Sequence, residues 1–288
     1  MVTRIPDPPQ HREGRKGRPR SFLSFRGGQD SIERFERGEL IGEGCMGRVY
    51  RATDMENGQE VALKIPFGHL SARLSIRNEA RALSRLDHPG IVRLVASSGK
   101  EPAFVATGYL EGVSLSSVMA RRGTMAWDEA RPLLMQMCQA LEHAHSAGVI
   151  HKDVKPDNIF LTEYGVKLLD FGVASICGFG SAIRSFLNPL VPGDLAYSAP
   201  EVYGGSVVKA SDVYSLGLTM HRILTGFLPM DVTGLRGLTA DSLPPESLDI
   251  LRRVCPPRVE GIIGRATMRD ARKRYRTAYE LGEAIGSS

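Results

Sequence analysis

An α+β fold is predicted for this chain of 288 residues, with strands gathered ahead of the main helices. Three observations carry that expectation. From Phe35 to Thr107, short extended runs alternate with glycine-containing turns, as in Glu60–Ile65, where Ala62 and Lys64 fall on one face. Later, apolar residues recur at helical spacing over Trp127–Ala147 and again over Ser211–Leu224. The length suffices for one large domain or for two lobes with separate cores, and 42% apolar with 24% charged residues is ordinary globular material.

Composition also excludes classes. No apolar run approaches the roughly 18 residues of a membrane span, and no signal peptide opens the chain. Cys45, Cys138, Cys177 and Cys255 have neither paired nor metal-ligand spacing and read as reduced intracellular thiols. A soluble, cytoplasmic protein without an integral membrane segment is expected. Residues 1–30 hold 7 of the 37 Lys+Arg and 3 of the 32 Asp+Glu, so the tail carries +4 of the net +5. With four prolines and little apolar content, it is expected to be a disordered basic tail. Arg15-Lys16-Gly17-Arg18-Pro19-Arg20 reads as a solvated run, with contact to nucleic acid or an acidic partner as the alternative.

Taken in order, the first ordered stretch is Leu40-Ile41-Gly42-Glu43-Gly44-Cys45-Met46-Gly47-Arg48-Val49. Its glycines let backbone N–H groups approach phosphates. G-x-G-x-x-G alone also marks dinucleotide folds, but a helix should follow there. Here a second extended run follows, ending at Asp54 and a turn at Asn57-Gly58. Lys64 faces inward from the next strand and needs an anion. The following helix supplies it: Glu79 lies among Ile76, Ala80 and Leu83 in the apolar stripe, where an unpaired carboxylate would be penalised. His88–Leu94 is expected to start another strand and Ala103–Thr107 the next. In the helix Trp127–Ala147, Leu134, Met137, Cys138, Leu141 and His145 share one side, and His143 and His145 read as packing or surface residues.

The chemistry concentrates at His151-Lys152-Asp153-Val154-Lys155-Pro156-Asp157-Asn158, with Asp170-Phe171-Gly172 one short hairpin later. A turn at Glu163-Tyr164-Gly165 would bring Asp170 back beside Asp153 and Asn158. Burying such groups is costly unless a ligand or metal satisfies them. An acid and an amide offering oxygen suit Mg²⁺, which prefers few protein ligands plus phosphate oxygens.

These residues fit the H-x-D-x-K-x-x-N and D-F-G pattern, and the chain from about Phe35 onward resembles the eukaryotic-like Ser/Thr protein kinases of bacteria. The resemblance implies a bilobal protein-kinase-like fold with a small β-rich N-lobe and a larger helical C-lobe. A kinase domain over 31–288 would divide into an N-lobe at about 35–107, a hinge at 108–112 and a C-lobe at 113–288. ATP would lie against Ile41, Gly42, Gly44, Gly47, Val49, Ala62 and Lys64, with Thr107 behind the adenine and Gly108 and Leu110 pairing with it. Asp153 would accept the proton of a Ser or Thr hydroxyl on a protein substrate. Lys155 would neutralise the moving phosphoryl group, Lys64 with Glu79 would position ATP, and Asn158 and Asp170 would hold Mg²⁺. The resemblance further implies that Asp212 bonds the catalytic-loop backbone. Asp270–Arg274 would be the last helical segment, with Arg274 paired to Glu201, and the activation segment would contain Ser175, Ser181, Ser185 and Ser198.

Three departures qualify it. Gly108 stands where Glu is usual. Lys152 replaces the Arg usual before the catalytic Asp and loses its bidentate fork. Asp194 replaces a bridging Thr, which would set its carboxylate against Asp153 and hold the loop in a displaced arrangement. At Gly108 only the carbonyl is needed, so adenine recognition should survive, while Lys152 and Asp194 keep open a pseudokinase that binds ATP or a partner. A small-molecule kinase is a further alternative, against which Ala199-Pro200-Glu201 and Arg274 count.

Overall fold

A computed structural model describes residues 31–176, 194–229 and 241–288. The expectations for the basic tail and for Cys177, Ser181 and Ser185 lie outside these residues, as does the side chain of Asp194.

Five antiparallel strands form the N-terminal sheet in the order β1-β2-β3-β5-β4: β1 Phe35–Gly44, β2 Gly47–Asp54, β3 Glu60–Pro66, β4 Leu94–Ser98 and β5 Phe104–Gly108. Alternation within the strands buries Phe35, Ala52, Val61, Leu63, Ala96, Phe104 and Ala106 in a small core. Phe35 meets Phe104 edge-on at 5.5 Å between centroids. β1 slips register twice between Arg37 and Gly42, an irregularity of the β-bulge kind.

Helix α1 (Leu70–Leu83) packs against the sheet on the face that carries Lys64. His69 caps it, its Nδ1 accepting the Ala72 N–H, and Ala72, Ser75, Ile76, Glu79, Ala82 and Leu83 form its buried stripe. The strand expected at His88 begins only at Leu94. His88 Nδ1 accepts the Gly90 N–H and turns the chain, and Ile91 then makes a single bridge to Leu168.

The C-terminal part packs around α3 (Trp127–Ser146) and α5 (Lys209–Thr225). Leu134, Met137, Cys138 and Leu141 of α3 meet Val213, Leu216, Met220 and Ile223 of α5 in one large core. A cap at Ser114 starts α2 (Leu115–Arg122), and short strands flank the chemistry. β6 (Val113–Ser114), β8 (Ile159–Thr162) and β9 (Gly165–Leu168) form one sheet, while β7 (Val149–Ile150) pairs with β10 (Ser175–Ile176). The β8–β9 hairpin is the one expected at Glu163–Gly165.

Beyond α5 come α6 (Pro245–Val254), α7 (Pro257–Ala266) and α8 (Ala278–Gly286), with α4 (Pro200–Tyr203) ahead of α5. Asp270–Arg274 is not the last helical segment. Asp270 accepts the Arg272 N–H and closes a 3₁₀ turn over Ala271–Lys273. Arg274 leaves that turn extended and reaches Glu201, and α8 is the final helix. Among the described residues, no helix is long and apolar enough to cross a membrane.

Candidate active site

A cleft of about 920 Å³ opens between the five-stranded sheet and the loops before β8 and after β9. Its lining includes Ile41, Gly42, Gly44, Gly47, Val49, Ala62, Lys64, Glu79, Thr107, Gly108, Leu110, Asp153, Lys155, Asn158 and Asp170. Every residue expected to bind nucleotide or metal, or to act in transfer, therefore borders one space.

Lys64 is the centre of the deep end. Its Nζ donates to Glu79 Oε2 at 2.8 Å and to Asp170 Oδ1 at 3.1 Å. Strand β3 points Lys64 inward because Val61 and Leu63 occupy the opposite, fully buried face. Burial pulls the Lys64 ammonium toward its neutral form, but the Glu79 and Asp170 carboxylates outweigh it and raise its pKa. Burial also pushes Asp170 up. Lys64 and the Gly172 N–H hold its carboxyl below the usual value nonetheless. About half of the Asp170 side chain (47%) remains exposed toward the cleft, in a backbone held at φ 55°.

Asp153 faces this group from the loop after β7. Its Oδ2 accepts from Lys155 Nζ at 3.0 Å and from Asn158 Nδ2 at 2.7 Å. Asn158 Nδ2 also donates to the Asp153 carbonyl at 2.8 Å. With its NH₂ committed to Asp153, the amide oxygen of Asn158 is the atom available to a cation. Among the described residues no cluster of three or more His, Cys, Asp or Glu could hold a metal. One carboxylate with one amide oxygen is a donor set that fits Mg²⁺ completed by phosphate and water oxygens.

The loop itself is held from α5. Asp212 Oδ2 accepts the His151 N–H and Oδ1 the Lys152 N–H, both at 2.8 Å, which matches the role implied by the resemblance. Burial would raise the Asp212 carboxyl, yet His145, His151 and the Lys152 N–H lower it. His145 is more than packing: its Nε2 lies 2.7 Å from Asp212 Oδ2, and both side chains are fully buried. The signal was present, since an imidazole on an apolar face needs a polar partner. Lys152 bends through φ 70°, and His151 meets Phe171 edge-on at 4.5 Å.

The glycines of the first hairpin divide by cause. A Cβ on Gly47 would sit 2.3 Å from the Ile65 carbonyl oxygen, so the β2–β3 approach alone demands glycine there. A Cβ on Gly44 would meet nothing within 4 Å, so its space is left to whatever enters the cleft. At the far end, Arg274 is 1% exposed and clamps Glu201 through bonds of 2.7 and 2.9 Å.

Comparison with known proteins agrees with this geometry. Residues 35–242 match the model of the protein kinase domain. The chain is 33% identical over 257 residues to the serine/threonine-protein kinase PrkC of Bacillus subtilis, covering 86% of this chain and 39% of that protein. It is 34% identical to the serine/threonine-protein kinase pkn2 of Myxococcus xanthus, with 86% and 31% covered. For the serine/threonine-protein kinase PknB of Mycobacterium tuberculosis the identity is 32%, with 86% and 42% covered. The chain thus spans well under half the length of these relatives. A crystal structure of the Mycobacterium tuberculosis PknI kinase domain superposes with a TM-score of 0.69 at 25% identity, covering 88% of this chain and 95% of that one. A two-lobed fold, a lysine bridged to two carboxylates, and these matches over most of the sequence together establish that the chain belongs to the protein kinase family, in its bacterial Ser/Thr branch.

Proposed function

We propose that this chain transfers the γ-phosphoryl group of ATP to Ser or Thr hydroxyls of protein substrates in the cytoplasm. The observation that carries the proposal is Lys64 bridging Glu79 and Asp170 in the same cleft that holds Asp153 with Lys155 and Asn158. Thr107, Gly108 and Leu110 receive the adenine beneath Ile41, Val49 and Ala62, and the backbone of Gly42–Gly47 lies over the phosphates. Lys64, already charged and positioned, meets the α- and β-phosphates. Asn158 and Asp170 hold Mg²⁺, which neutralises charge on the phosphate oxygens when bound.

Asp153 takes the proton from the acceptor hydroxyl as its oxygen bonds the γ-phosphorus. The bond from that phosphorus to the β–γ bridging oxygen breaks, and ADP leaves with the electron pair. Lys155, 3.0 Å from Asp153, lies where charge develops on the moving group. Little covalent work falls to the protein; positioning and electrostatics supply the rate. No observation in the described residues favours a scaffold without transfer. The Glu201–Arg274 clamp supports a peptide-docking lobe over a small-molecule kinase. Label from γ-labelled ATP should enter a generic basic protein when Mg²⁺ is present. Absence of incorporation across several protein acceptors would overturn the proposal.

A further inference from the structure

Asn78 stands one residue before Glu79 on α1, and its side chain turns toward the metal-side loop. Its Nδ2 lies 2.8 Å from the Ala174 carbonyl, 3.0 Å from Gly172 O and 3.4 Å from Phe171 O. One turn earlier, Ser75 closes on the same loop: a Cβ added to Gly172 would sit 2.4 Å from Ser75 Oγ. Inside the loop, Asp170 Oδ1 accepts the Gly172 N–H at 3.1 Å, and the Ala174 N–H donates to Phe171 O at 3.0 Å. Phe171 is fully buried between these contacts and His151.

Two adjacent residues of α1 thus grip two parts of one device. Glu79 reaches Asp170 through Lys64, and Asn78 reaches the carbonyls of Phe171, Gly172 and Ala174 in the turn that follows it. An amide NH₂ has two protons, so the two shorter contacts are its bonds and the third is shared. Because the acceptors are backbone carbonyls, the bonds fix the path of the chain, and with it the direction in which Asp170 leaves its φ of 55°.

We propose that Asn78 is a positioning residue for phosphoryl transfer, a latch that joins α1 to the Asp170–Ala174 loop so that the helix and the metal ligand move as one unit. The inference rests on the proposed kinase function for its catalytic consequence, but the linkage is a property of the fold. Linkage is reciprocal: occupancy of the site by Mg·ATP steadies α1, and a displaced α1 weakens the Mg²⁺ site. Asn78→Ala removes the donors, and Asn78→Asp sets a carboxylate against carbonyl oxygens.

The test combines three measurements on the full chain. In Asn78→Ala the half-saturating Mg²⁺ concentration for transfer is expected to rise about tenfold, about 1.4 kcal/mol, with the melting temperature within a few degrees of the parent. Asn78→Asp should exceed that effect, and Asn78→Ser, which keeps one donor, should fall between. Backbone hydrogen exchange supplies the readout that needs no catalysis: Mg·ATP should slow exchange along α1 in the parent and fail to do so in Asn78→Ala. Unaltered Mg²⁺ dependence together with retained α1 protection in both the Ala and Asp variants would overturn the latch. A parent that transfers no phosphate yet shows Mg·ATP protection lost on substitution would count against the kinase proposal and leave the latch standing.

Discussion

Arg274→Met tests whether the buried guanidinium organises the C-terminal part of the fold. Arg274 makes five bonds: two to Glu201, and one each to the carbonyls of Met268 at 2.6 Å, Arg269 at 2.9 Å and Ala210 at 3.0 Å. It also lies 4.7 Å from the Tyr214 ring centroid. Methionine fills much of the volume but removes the donor to these three carbonyls and, among the described residues, leaves Glu201 the Ser211 hydroxyl, 2.7 Å away, as its remaining side-chain partner. Breaking a buried pair in this way costs about 3–5 kcal/mol. The Glu201 side chain keeps 17% exposure, so water recovers part of that, and about 3 kcal/mol is expected. For a domain of this size the melting temperature should fall by roughly 6–12 °C. The assay is thermal unfolding of the parent, Arg274→Met, and the double variant Arg274→Met with Glu201→Leu. Removing both charges should recover at least half of the loss, because no lone carboxylate remains. A single variant melting within about 2 °C of the parent would refute the reasoning, as would a double variant that melts lower than the single.

Further outcomes follow from the same geometry. Gly47→Ala forces a Cβ onto the Ile65 carbonyl and should lower the melting temperature. Gly44→Ala has room and should spare stability while raising the KM for ATP, as unfolding and steady-state kinetics would show. Burial pushes the Glu201 carboxyl up, but the bonds from Arg274 and Ser211 win and lower it from the ordinary 4.5. A depressed folded pKa gives stability that is present above the unfolded value and lost as pH falls through the folded one. Acid titrations of unfolding should therefore show a loss below about pH 4.5 that Glu201→Gln flattens. A chain beginning at Ser31 should keep its melting temperature and its rate per molecule, because the basic tail lacks the apolar content to build a core.

That Asp153, Lys155 and Asn158 border one cleft was legible because the H-x-D-x-K-x-x-N spacing singles out those side chains. Glu79 was legible for a different reason: a carboxylate inside an apolar stripe needs a cation, and Lys64 was the inward-facing candidate. His145 escaped because its partner, Asp212, is 67 positions away, and helical periodicity alone records only that the residue faces inward. Asn78 was illegible in principle, since its acceptors are main-chain carbonyls that any residue could supply. Helices α6 and α7 were missed despite a usable signal. Pro244-Pro245 and Pro256-Pro257 each place a proline at the first helical position, where no N–H is needed. The strand expected from His88 failed because a local bond to Gly90 formed a turn ahead of it.

The central claim is that Asp153 acts on the acceptor hydroxyl while Lys64, Asn158 and Asp170 serve the nucleotide and its metal. Parallel measurement of γ-phosphate transfer and ATP affinity in Asp153→Asn tests it most directly. The account predicts that transfer falls by at least about a hundredfold, the scale of a lost catalytic base, while ATP affinity stays within a few-fold of the parent. Transfer retained at the parent rate, or nucleotide binding lost in proportion to transfer, would contradict it.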